Sequence, residues 1–328
     1  MRDIEQFASI ASGIIEQDHN HDGIDRRGFL KCMAWAGTGA LCVVEAGVLK
    51  SSALGAQLGS SKNPSASSQL SFVQISDSHM GFSKPANPDV VATLKTAVSK
   101  INALPDAPAF ILHTGDITHL STPEQFDTVE QILKSTNKEV FFVPGEHDVL
   151  NDDGAMFRKR YGRNSKGAGW YSFNHSGVHF IGLVNVMNLK AGGLGNLGQE
   201  QLEWLEDDLR EVKHSTPIVV FAHIPLWTVY PQWGWGTDDG ALALSHLKKF
   251  GSVTVLNGHI HQTMQKVEGK VTFHTASSTA FPQPSPWQAE GPGPMKVPAD
   301  QLRRVLGLTD VNYLGLRRAL ALVDSSLE

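Results

Sequence analysis

The sequence predicts an α/β fold in which two packed sheets are flanked by helices. Two observations predict it. After residue 70, short apolar runs alternate with segments whose apolar residues recur at helical spacing. Beyond residue 170, apolar runs succeed one another across short turns, as in antiparallel hairpins. The chain has 328 residues, 41% of them hydrophobic, which suffices for one domain of about 270 residues rather than two independent units.

The N-terminal segment has the order of an export signal. The pair Arg26-Arg27 precedes Phe29-Leu30-Lys31, an uncharged run follows over 32–44, and small residues cluster at 53–56. The arginine pair resembles the twin-arginine signal, which a receptor recognises to export folded proteins. We therefore expect a signal peptide over 1–56, the twin-arginine export machinery as a partner, and a periplasmic or secreted protein. The alternative is an amphipathic helix with two chance arginines.

The elements of the first half follow a linker. Residues 57–70 are rich in Ser, Gly and Ala and predict a flexible segment, which leaves 71–328 for the folded domain. Strands are predicted from apolar runs, and helices from capping residues and from apolar spacing. The predicted elements are a strand at 72–75, a helix from 87 to about 104, a strand at 109–112, a helix opening at Pro123 and a strand at 140–143.

The second half begins with a short helix, continues with a hairpin and ends with a strand. Its helices are predicted from the spacing of apolar residues, and its hairpins from the short turns between apolar runs. The predicted elements are a helix at 155–161, strands at 170–173 and 178–183, a helix at 198–213, a strand at 218–221, a helix at 238–250, a strand at 253–256, a hairpin of 263–268 with 271–275, an irregular loop at 281–298 and a strand at 319–323.

Composition excludes two classes of function. The net charge is −5 and the body of the chain has no block of Lys and Arg, so general nucleic-acid binding is disfavoured. No apolar stretch reaches the roughly 18 residues that a bilayer span requires, so no stable membrane span is expected.

Five predicted strands end in polar clusters. Ligands collect at the carboxyl ends of strands in α/β sheets, so we expect these side chains to converge. Carboxylate and imidazole together suit metals such as Mn, Fe and Zn, and their number favours two ions that share a carboxylate. The alternative for any single residue is a cap or a satisfied polar group. The clusters are Asp77-Ser78-His79, Gly115-Asp116, Glu146-His147-Asp148, His223 and Asn257-Gly258-His259-Ile260-His261.

Together the five clusters resemble the signature of the calcineurin-like metallophosphoesterases. The resemblance spans residues 77–261 and implies a four-layer α/β/β/α sandwich with two mixed sheets. It also implies a role for each position. Asp77, His79 and His261 bind the first metal, Asp116 bridges both metals, His223, His259 and Glu146 bind the second, and His147 is the general acid with Asp148 orienting it.

Glu146 departs from the family pattern, which usually has Asn at this position. A glutamate offers a charged carboxylate that is one methylene longer than the neutral amide of Asn. One hypothesis is that Glu146 holds the second metal more tightly and lowers the positive charge of the site. The other is that Glu146 swings away and leaves the second site weak or empty.

The resemblance implies a phosphoesterase with two divalent or trivalent ions of Fe, Mn or Zn, and the predicted signal peptide implies that it is exported. The resemblance further implies that a hydroxide shared by the two ions would attack the phosphorus of a small-molecule phosphodiester, with nucleotide-like substrates as one option. Purple acid phosphatases carry Tyr at the position of His119 and Gly at that of His79, so the chain looks more like the cyclic-nucleotide phosphodiesterase branch. The alternatives are a phosphomonoesterase of broad specificity and a non-catalytic metal-binding partner protein.

Four aromatic residues follow the predicted ligand His223. They are expected either to form a wall of the substrate pocket or to pack the loop onto the sheet. The segment 281–284 is likewise expected to be a lid or a surface loop. The four residues are Trp227, Tyr230, Trp233 and Trp235.

Overall fold

In this computed structural model the described residues are 70–314 and 319–328, together with the backbone of two short strands before them. Those strands are β1 (Ala40–Glu45) and β2 (Val48–Ala53), which pair antiparallel. The predicted arginine pair and nearly all of the predicted linker lie outside the described residues.

The first main sheet has five strands in the order β13-β12-β3-β4-β5. Strands β3, β4 and β5 are parallel, whereas β12 is antiparallel to both of its neighbours. Parallel pairing brings the carboxyl ends of β3, β4 and β5 to one edge of the sheet. The bounds are β3 Leu70–Ile75, β4 Phe110–His113, β5 Glu139–Phe142, β12 Gly307–Leu314 and β13 Ala319–Ser326.

The second main sheet has six strands in the order β10-β11-β9-β8-β7-β6. Its centre, from β11 through β9 and β8 to β7, is parallel, and β10 and β6 join the two edges antiparallel. Both main sheets are therefore mixed. The bounds are β6 Tyr171–His175, β7 Val178–Gly182, β8 Ile218–Phe221, β9 Val253–Asn257, β10 Met264–Glu268 and β11 Val271–Thr275.

The first two helices begin where the sequence offers a cap or a proline. The Asp89 side chain accepts a hydrogen bond from the Ala92 amide and so caps the first helix. Pro123 occupies the first position of the second helix, where its missing N–H costs nothing. The bounds are α1 Val90–Asn102, α2 Pro123–Lys134, α3 Ala155–Tyr161, α4 Gln199–Arg210, α5 Gly240–Leu247 and α6 Leu302–Val305.

Three apolar layers separate four layers of secondary structure. Because successive side chains of a strand point to opposite faces, Val73 packs towards α1 and α2 while Phe72 packs towards the other sheet. Phe72 meets Phe180 of β7 edge-on, with ring centroids 5.4 Å apart. Behind the second sheet, Val220 and Leu205 belong to a cluster formed with α4 and α5. The predicted four-layer α/β/β/α sandwich is confirmed.

The main difference from the predicted elements is strand β12. The sequence around Val311 alternates apolar residues with Thr309, Asp310 and Asn312, which gave no clear strand signal. Its partner is remote in sequence, since Val311 lies opposite Phe72 of β3. Helix α6 and strands β1 and β2 were not predicted either. The elements that were predicted differ from the structure mainly at their ends. Among the described residues, no helix has both the length and the apolar character that crossing a membrane demands.

Candidate metal centre

The loops that leave the parallel strands meet at one edge of the sandwich. Backbone hydrogen bonds continue past the ends of β3 and β4. The Asp77 amide donates to the Gly115 carbonyl at 3.0 Å, and the His79 amide donates to the Asp116 carbonyl at 2.9 Å. In the second sheet the Gly258 amide donates to the His223 carbonyl at 3.0 Å. These bonds fix the backbone from which the candidate ligands project.

Five of the candidate ligands have a left-handed backbone, which non-glycine residues rarely adopt. Such conformations cost of the order of 1–3 kcal/mol each and tend to cluster at functional sites, where the surrounding structure holds them. In this loop cluster the strain lies at the ligands themselves. Their φ angles are 53° at Asp77, 39° at His79, 51° at Asp116, 71° at His259 and 52° at His261.

Gly258 shows how closely the two sheets approach at the centre. A Cβ atom on this residue would lie 2.0 Å from Oγ of Ser76 and 2.6 Å from Oδ2 of Asp77. No side chain fits at such distances without moving backbone or ligand. The glycine before His259 is thus required so that the loop after β9 can reach the loop after β3.

The first group of ligands consists of Asp77, His79 and His261, which are all buried. Nε2 of His261 lies 3.2 Å from Oδ1 of Asp77 and 3.2 Å from Nε2 of His79. Two imidazole nitrogens and a carboxylate oxygen therefore converge on one point, as the ligands of a single cation do.

The second group consists of Glu146, His223 and His259. The Glu146 carboxylate reaches both imidazoles, with Oε2 3.0 Å from Nε2 of His223 and Oε1 3.0 Å from Nδ1 of His259. Asp116 lies between the two groups, because its Oδ2 is 3.4 Å from Nε2 of His79 and 3.5 Å from Nε2 of His223. One carboxylate oxygen can thus serve both groups.

The polar atoms of the second group are placed to bind a cation but do not form hydrogen bonds with one another. Oε2 of Glu146, Nε2 of His223 and Nδ1 of His259 are buried, and the 3.0 Å contacts between the carboxylate and the two rings lack the geometry of hydrogen bonds. Buried polar atoms without partners are rare in proteins and need an explanation. A divalent ion among the three atoms supplies it, because each atom offers the lone pair that a metal ligand needs.

Backbone carbonyls orient two of the ligand imidazoles. Nδ1 of His223 lies 2.7 Å from the Thr114 carbonyl oxygen, and Nδ1 of His261 lies 2.6 Å from that of Phe281. A carbonyl can only accept, so Nδ1 carries the proton and donates in both rings. Nε2 of each ring is then free to bind a metal, which is the usual arrangement of ligand histidines.

The charges of two residues, Glu146 and His79, agree with ligand roles. Burial alone would raise the pKa of Glu146, but the imidazoles of His259 and His223 hold it well below its usual range. Burial lowers the pKa of His79 well below that of an ordinary histidine, and the neighbouring His261, His147 and His119 lower it further. Glu146 is therefore an ionised carboxylate, and His79 is a neutral imidazole.

His147 lies beside the ligands rather than among them. Its Nδ1 donates to the His119 carbonyl at 2.8 Å, and its amide donates to Oδ1 of Asp116 at 3.0 Å. Burial lowers the pKa of His147, but the nearby Asp116 and Glu146 carboxylates outweigh it and raise the pKa above its ordinary value. An imidazole with a raised pKa at the edge of the centre is suited to donate a proton.

Asp148 does not orient the His147 ring, contrary to the prediction. Its carboxylate instead accepts hydrogen bonds from the amides of Ile117 at 3.0 Å, Thr118 at 2.8 Å and Gly145 at 3.0 Å. Glu146–Asp148 form one 3₁₀ turn, in which successive side chains point in different directions. Burial, together with the Asp116 carboxylate, raises the pKa of Asp148 to about 6. Its role is to join the loops after β4 and β5.

A pocket of about 190 Å³ opens over the centre. Trp233 and Trp235 form one wall, and their rings meet edge-on with centroids 5.2 Å apart. None of the described lining residues is Lys or Arg. The lining consists of His79, Asp116, Glu146, His147, Trp233, Trp235, His259, Phe281, Gln283, Pro292, Gly293 and Pro294.

The other two predicted wall residues lie elsewhere. Trp227 is buried in the core behind the second sheet and packs on Phe273, with ring centroids 4.9 Å apart. Tyr230 lies behind Trp233, where it packs edge-on at 5.5 Å and also meets Trp287 at 6.3 Å. The aromatic segment thus does both things that the sequence left open, packing the loop through Trp227 and lining the pocket through Trp233 and Trp235.

The sequence left open whether the segment that forms the opposite wall is a lid or a surface loop. Phe281 stacks on His79 at 4.7 Å, and its carbonyl accepts the proton of His261. The Gln283 side-chain amide donates to the His259 carbonyl at 3.2 Å. The available signal was position, because a segment dense in Pro and Gly follows the last predicted ligand by only twenty residues. The segment 281–284 therefore forms part of the pocket wall rather than an outlying surface loop.

Several known proteins are similar to this chain in sequence or in fold. A 3′,5′-cyclic-nucleotide phosphodiesterase from Nostoc sp. is 25% identical over 228 residues, which cover 65% of this chain and 79% of the relative. A mouse serine/threonine-protein phosphatase, CPPED1, is 30% identical over 176 residues, covering 48% of this chain and 56% of the relative. A dimetal phosphatase structure from Danio rerio has a TM-score of 0.62 at 14% identity and covers 79% of this chain and 96% of that one.

The match to a family model covers more than half of the chain. It extends over residues 70–263 and corresponds to the calcineurin-like phosphoesterases. This range contains every predicted ligand and also His147. The ligand groups and the fold point to divalent metal ions as cofactors. The chain therefore belongs to the calcineurin-like phosphoesterase family of metal-dependent phosphoester hydrolases.

Proposed function

We propose that this chain is a two-metal phosphodiesterase acting on small-molecule phosphoesters. The observation that carries the proposal is that Oδ2 of Asp116 approaches both ligand groups, at 3.4 Å from His79 and 3.5 Å from His223. Two divalent ions, when bound, neutralise phosphoryl oxygens and activate a water nucleophile. Asp77, His79 and His261 would hold one ion, Glu146, His223 and His259 the other, and Asp116 both.

The protein's own contribution to the reaction is a proton donor in a fixed orientation. Because Nδ1 of His147 donates to the His119 carbonyl, Nε2 is left for the leaving-group oxygen. An alkoxide leaves poorly without a proton, and general acid catalysis of this kind contributes typically 10²–10⁴-fold in rate. His147 lines the pocket beside Asp116 and Glu146, at the edge where a leaving group would lie.

The charge of the pocket supports a diester substrate over a monoester. A monoester is a dianion near neutral pH, whereas a diester carries one negative charge. None of the described lining residues is Lys or Arg, and Glu146 adds a negative charge where the family usually has a neutral Asn. Both features reduce attraction for a dianion. Similarity to a protein named as a cyclic-nucleotide phosphodiesterase also supports a diester substrate.

A phosphomonoesterase is the second candidate, because a relative is named as a serine/threonine-protein phosphatase. Hydrolysis of bis-p-nitrophenyl phosphate and p-nitrophenyl phosphate by the Mn²⁺-loaded protein separates the two. We expect a higher kcat/KM for the diester, and a clear monoester preference would contradict the diester proposal. If neither ester is hydrolysed and a metal-loaded His147→Ala variant binds ligand unchanged, the chain is a non-catalytic binding protein.

We further propose that the protein is exported through the twin-arginine route to the periplasm or beyond. The support is the order of Arg26-Arg27, the uncharged run after it and the small residues near Ala56. The test replaces Arg26 and Arg27 together by Lys, which keeps the charge. We expect the precursor to accumulate inside the cell, and unchanged export would rule out dependence on the arginine pair.

A further inference from the structure

His79 differs from His223 and His261 in what lies at its Nδ1 atom. The other two rings face backbone carbonyls there, at 2.7 Å and 2.6 Å. Nδ1 of His79 instead lies 3.4 Å from Nδ1 of a second side chain, His119. The hydrogen-bond partner of His79 is therefore a side chain, which mutagenesis can replace.

The direction of this contact follows from the other nitrogen of His79. Nε2 converges on the centre, 3.2 Å from Nε2 of His261 and 3.4 Å from Oδ2 of Asp116. A neutral imidazole carries one ring proton, so a ring that offers its Nε2 lone pair to a cation is protonated at Nδ1. Nδ1 of His79 is then the donor and Nδ1 of His119 the acceptor, which places the proton of His119 on its Nε2.

Contacts on several sides hold the His119 ring in place. It stacks on His147 with centroids 4.9 Å and planes 17° apart, and it meets Phe82 edge-on at 5.2 Å. Its backbone is fixed as well, because the amide donates to the Met80 carbonyl at 2.9 Å. An acceptor in a fixed place costs little entropy to use, so it can orient its partner effectively.

We propose that His119 is a positioning residue for the first ligand group, and that its Nδ1 accepts the Nδ1 proton of His79 and so directs Nε2 of His79 at the metal. Hydrogen-bond partners of ligand histidines are typically worth 10–100-fold in metal affinity. The inference rests on the proposed function only in requiring a metal at Asp77, His79 and His261. It concerns affinity for that metal and not the substrate.

Two substitutions of His119 separate the acceptor from the ring. His119→Asn keeps an acceptor oxygen near the position of Nδ1 and removes the ring, whereas His119→Phe keeps a ring against His147 and has no acceptor. Each full-length protein is stripped of metal and titrated with Mn²⁺ against a chromogenic competing chelator. We expect one binding event to weaken about 10–100-fold in His119→Phe and to stay near the wild-type affinity in His119→Asn.

Two results of the titration would overturn the inference while leaving the proposed function intact. One is wild-type affinity in His119→Phe, and the other is an equal loss in both variants. A wild-type protein that binds no Mn²⁺ would overturn the inference and the proposed function together. Thermal unfolding of the metal-free proteins checks that both variants are folded.

A second measurement needs no variant to fold. Nitrogen-15 NMR of the wild-type protein with labelled histidines reports which ring nitrogen carries each proton. We expect His79 protonated at Nδ1 and His119 at Nε2. A proton on Nδ1 of His119 would contradict the proposed acceptor role.

Discussion

Each of the two ligand groups of the centre has one carboxylate and two imidazoles, but the groups differ in how deeply their side chains are buried. The side chains of Asp77, His79 and His261 are 0%, 3% and 1% exposed. In the second group His223 is also fully buried, but the side chains of Glu146 and His259 are 24% and 12% exposed. Rigid burial means that the first group is arranged before a metal arrives, whereas the second group gains order from it. We therefore expect the first group to bind its ion more tightly.

Loss of the residue that both groups share should have the largest effect. In Asp116→Asn the neutral amide cannot bridge two cations, so both Mn²⁺ affinities should fall. We expect kcat to drop more than the 10²–10³-fold that follows removal of one charge-stabilising donor. Steady-state hydrolysis of the diester and Mn²⁺ titration measure the two effects. Loss of one ion alone would show that Asp116 belongs to a single group.

Substitution of His147 should leave the ligand groups intact and remove only the proton donor. We expect kcat to fall by about 10²–10⁴-fold in His147→Ala for a diester with an alkoxide leaving group. The fall should be much smaller for a p-nitrophenolate, which leaves without a proton. Mn²⁺ stoichiometry serves as the control and should not change. Equal losses on the two substrates would argue against general acid catalysis by His147.

Glu146 tests the difference between the groups directly. Glu146→Asn restores the usual family residue and removes one negative charge from the second group only. We expect the weaker Mn²⁺ event to weaken by a further factor of the order of ten, since ligand charge sets the affinity of such sites. The tighter event should not change. At saturating Mn²⁺, activity should equal or exceed that of the wild type, because the site is then more positive. Unchanged affinity for both ions would mean that Glu146 is not a ligand.

Substitution of Trp233 should affect substrate binding, whereas substitution of Trp227 should affect the stability of the fold. Trp233→Ala removes pocket wall, so KM should rise about 2–12-fold, which corresponds to the 0.5–1.5 kcal/mol of an aromatic contact. Trp227→Ala is the matched control and leaves a cavity in the core, which costs about 3–5 kcal/mol of unfolding free energy. Its folded fraction should keep the wild-type KM. A raised KM in both variants would place Trp227 at the substrate after all.

The ligand positions could be predicted because they depend on strand ends. An apolar run such as Phe72 to Ile75 marks a buried strand, and the polar residues after it must lie at the sheet edge. Asp77 and His79 follow from that rule alone. The two-sheet architecture followed from the change of pattern along the chain. Strand β12 did not follow, because its pairing with β3 spans most of the chain and local composition does not encode a partner.

Roles that depend on side-chain direction could not be predicted. Asp148 is adjacent to His147 in sequence, but the 3₁₀ turn points its carboxylate at the amides of Ile117 and Thr118. Likewise Trp227 and Trp233 are six residues apart in one loop, and only the fold separates core from pocket. The contact of His119 with His79 joins two loops, so the sequence drew attention to His119 by its position but did not identify His79 as its hydrogen-bond partner.

The central claim is that seven residues form two adjoining metal sites that share Asp116. Crystals of the Mn²⁺-loaded protein test it most directly, because anomalous scattering locates each ion independently of any assumed ligand. We predict two peaks, one among Asp77, His79 and His261 and the other among Glu146, His223 and His259, both in contact with Asp116. A single peak, or a second peak away from Glu146, would contradict the claim.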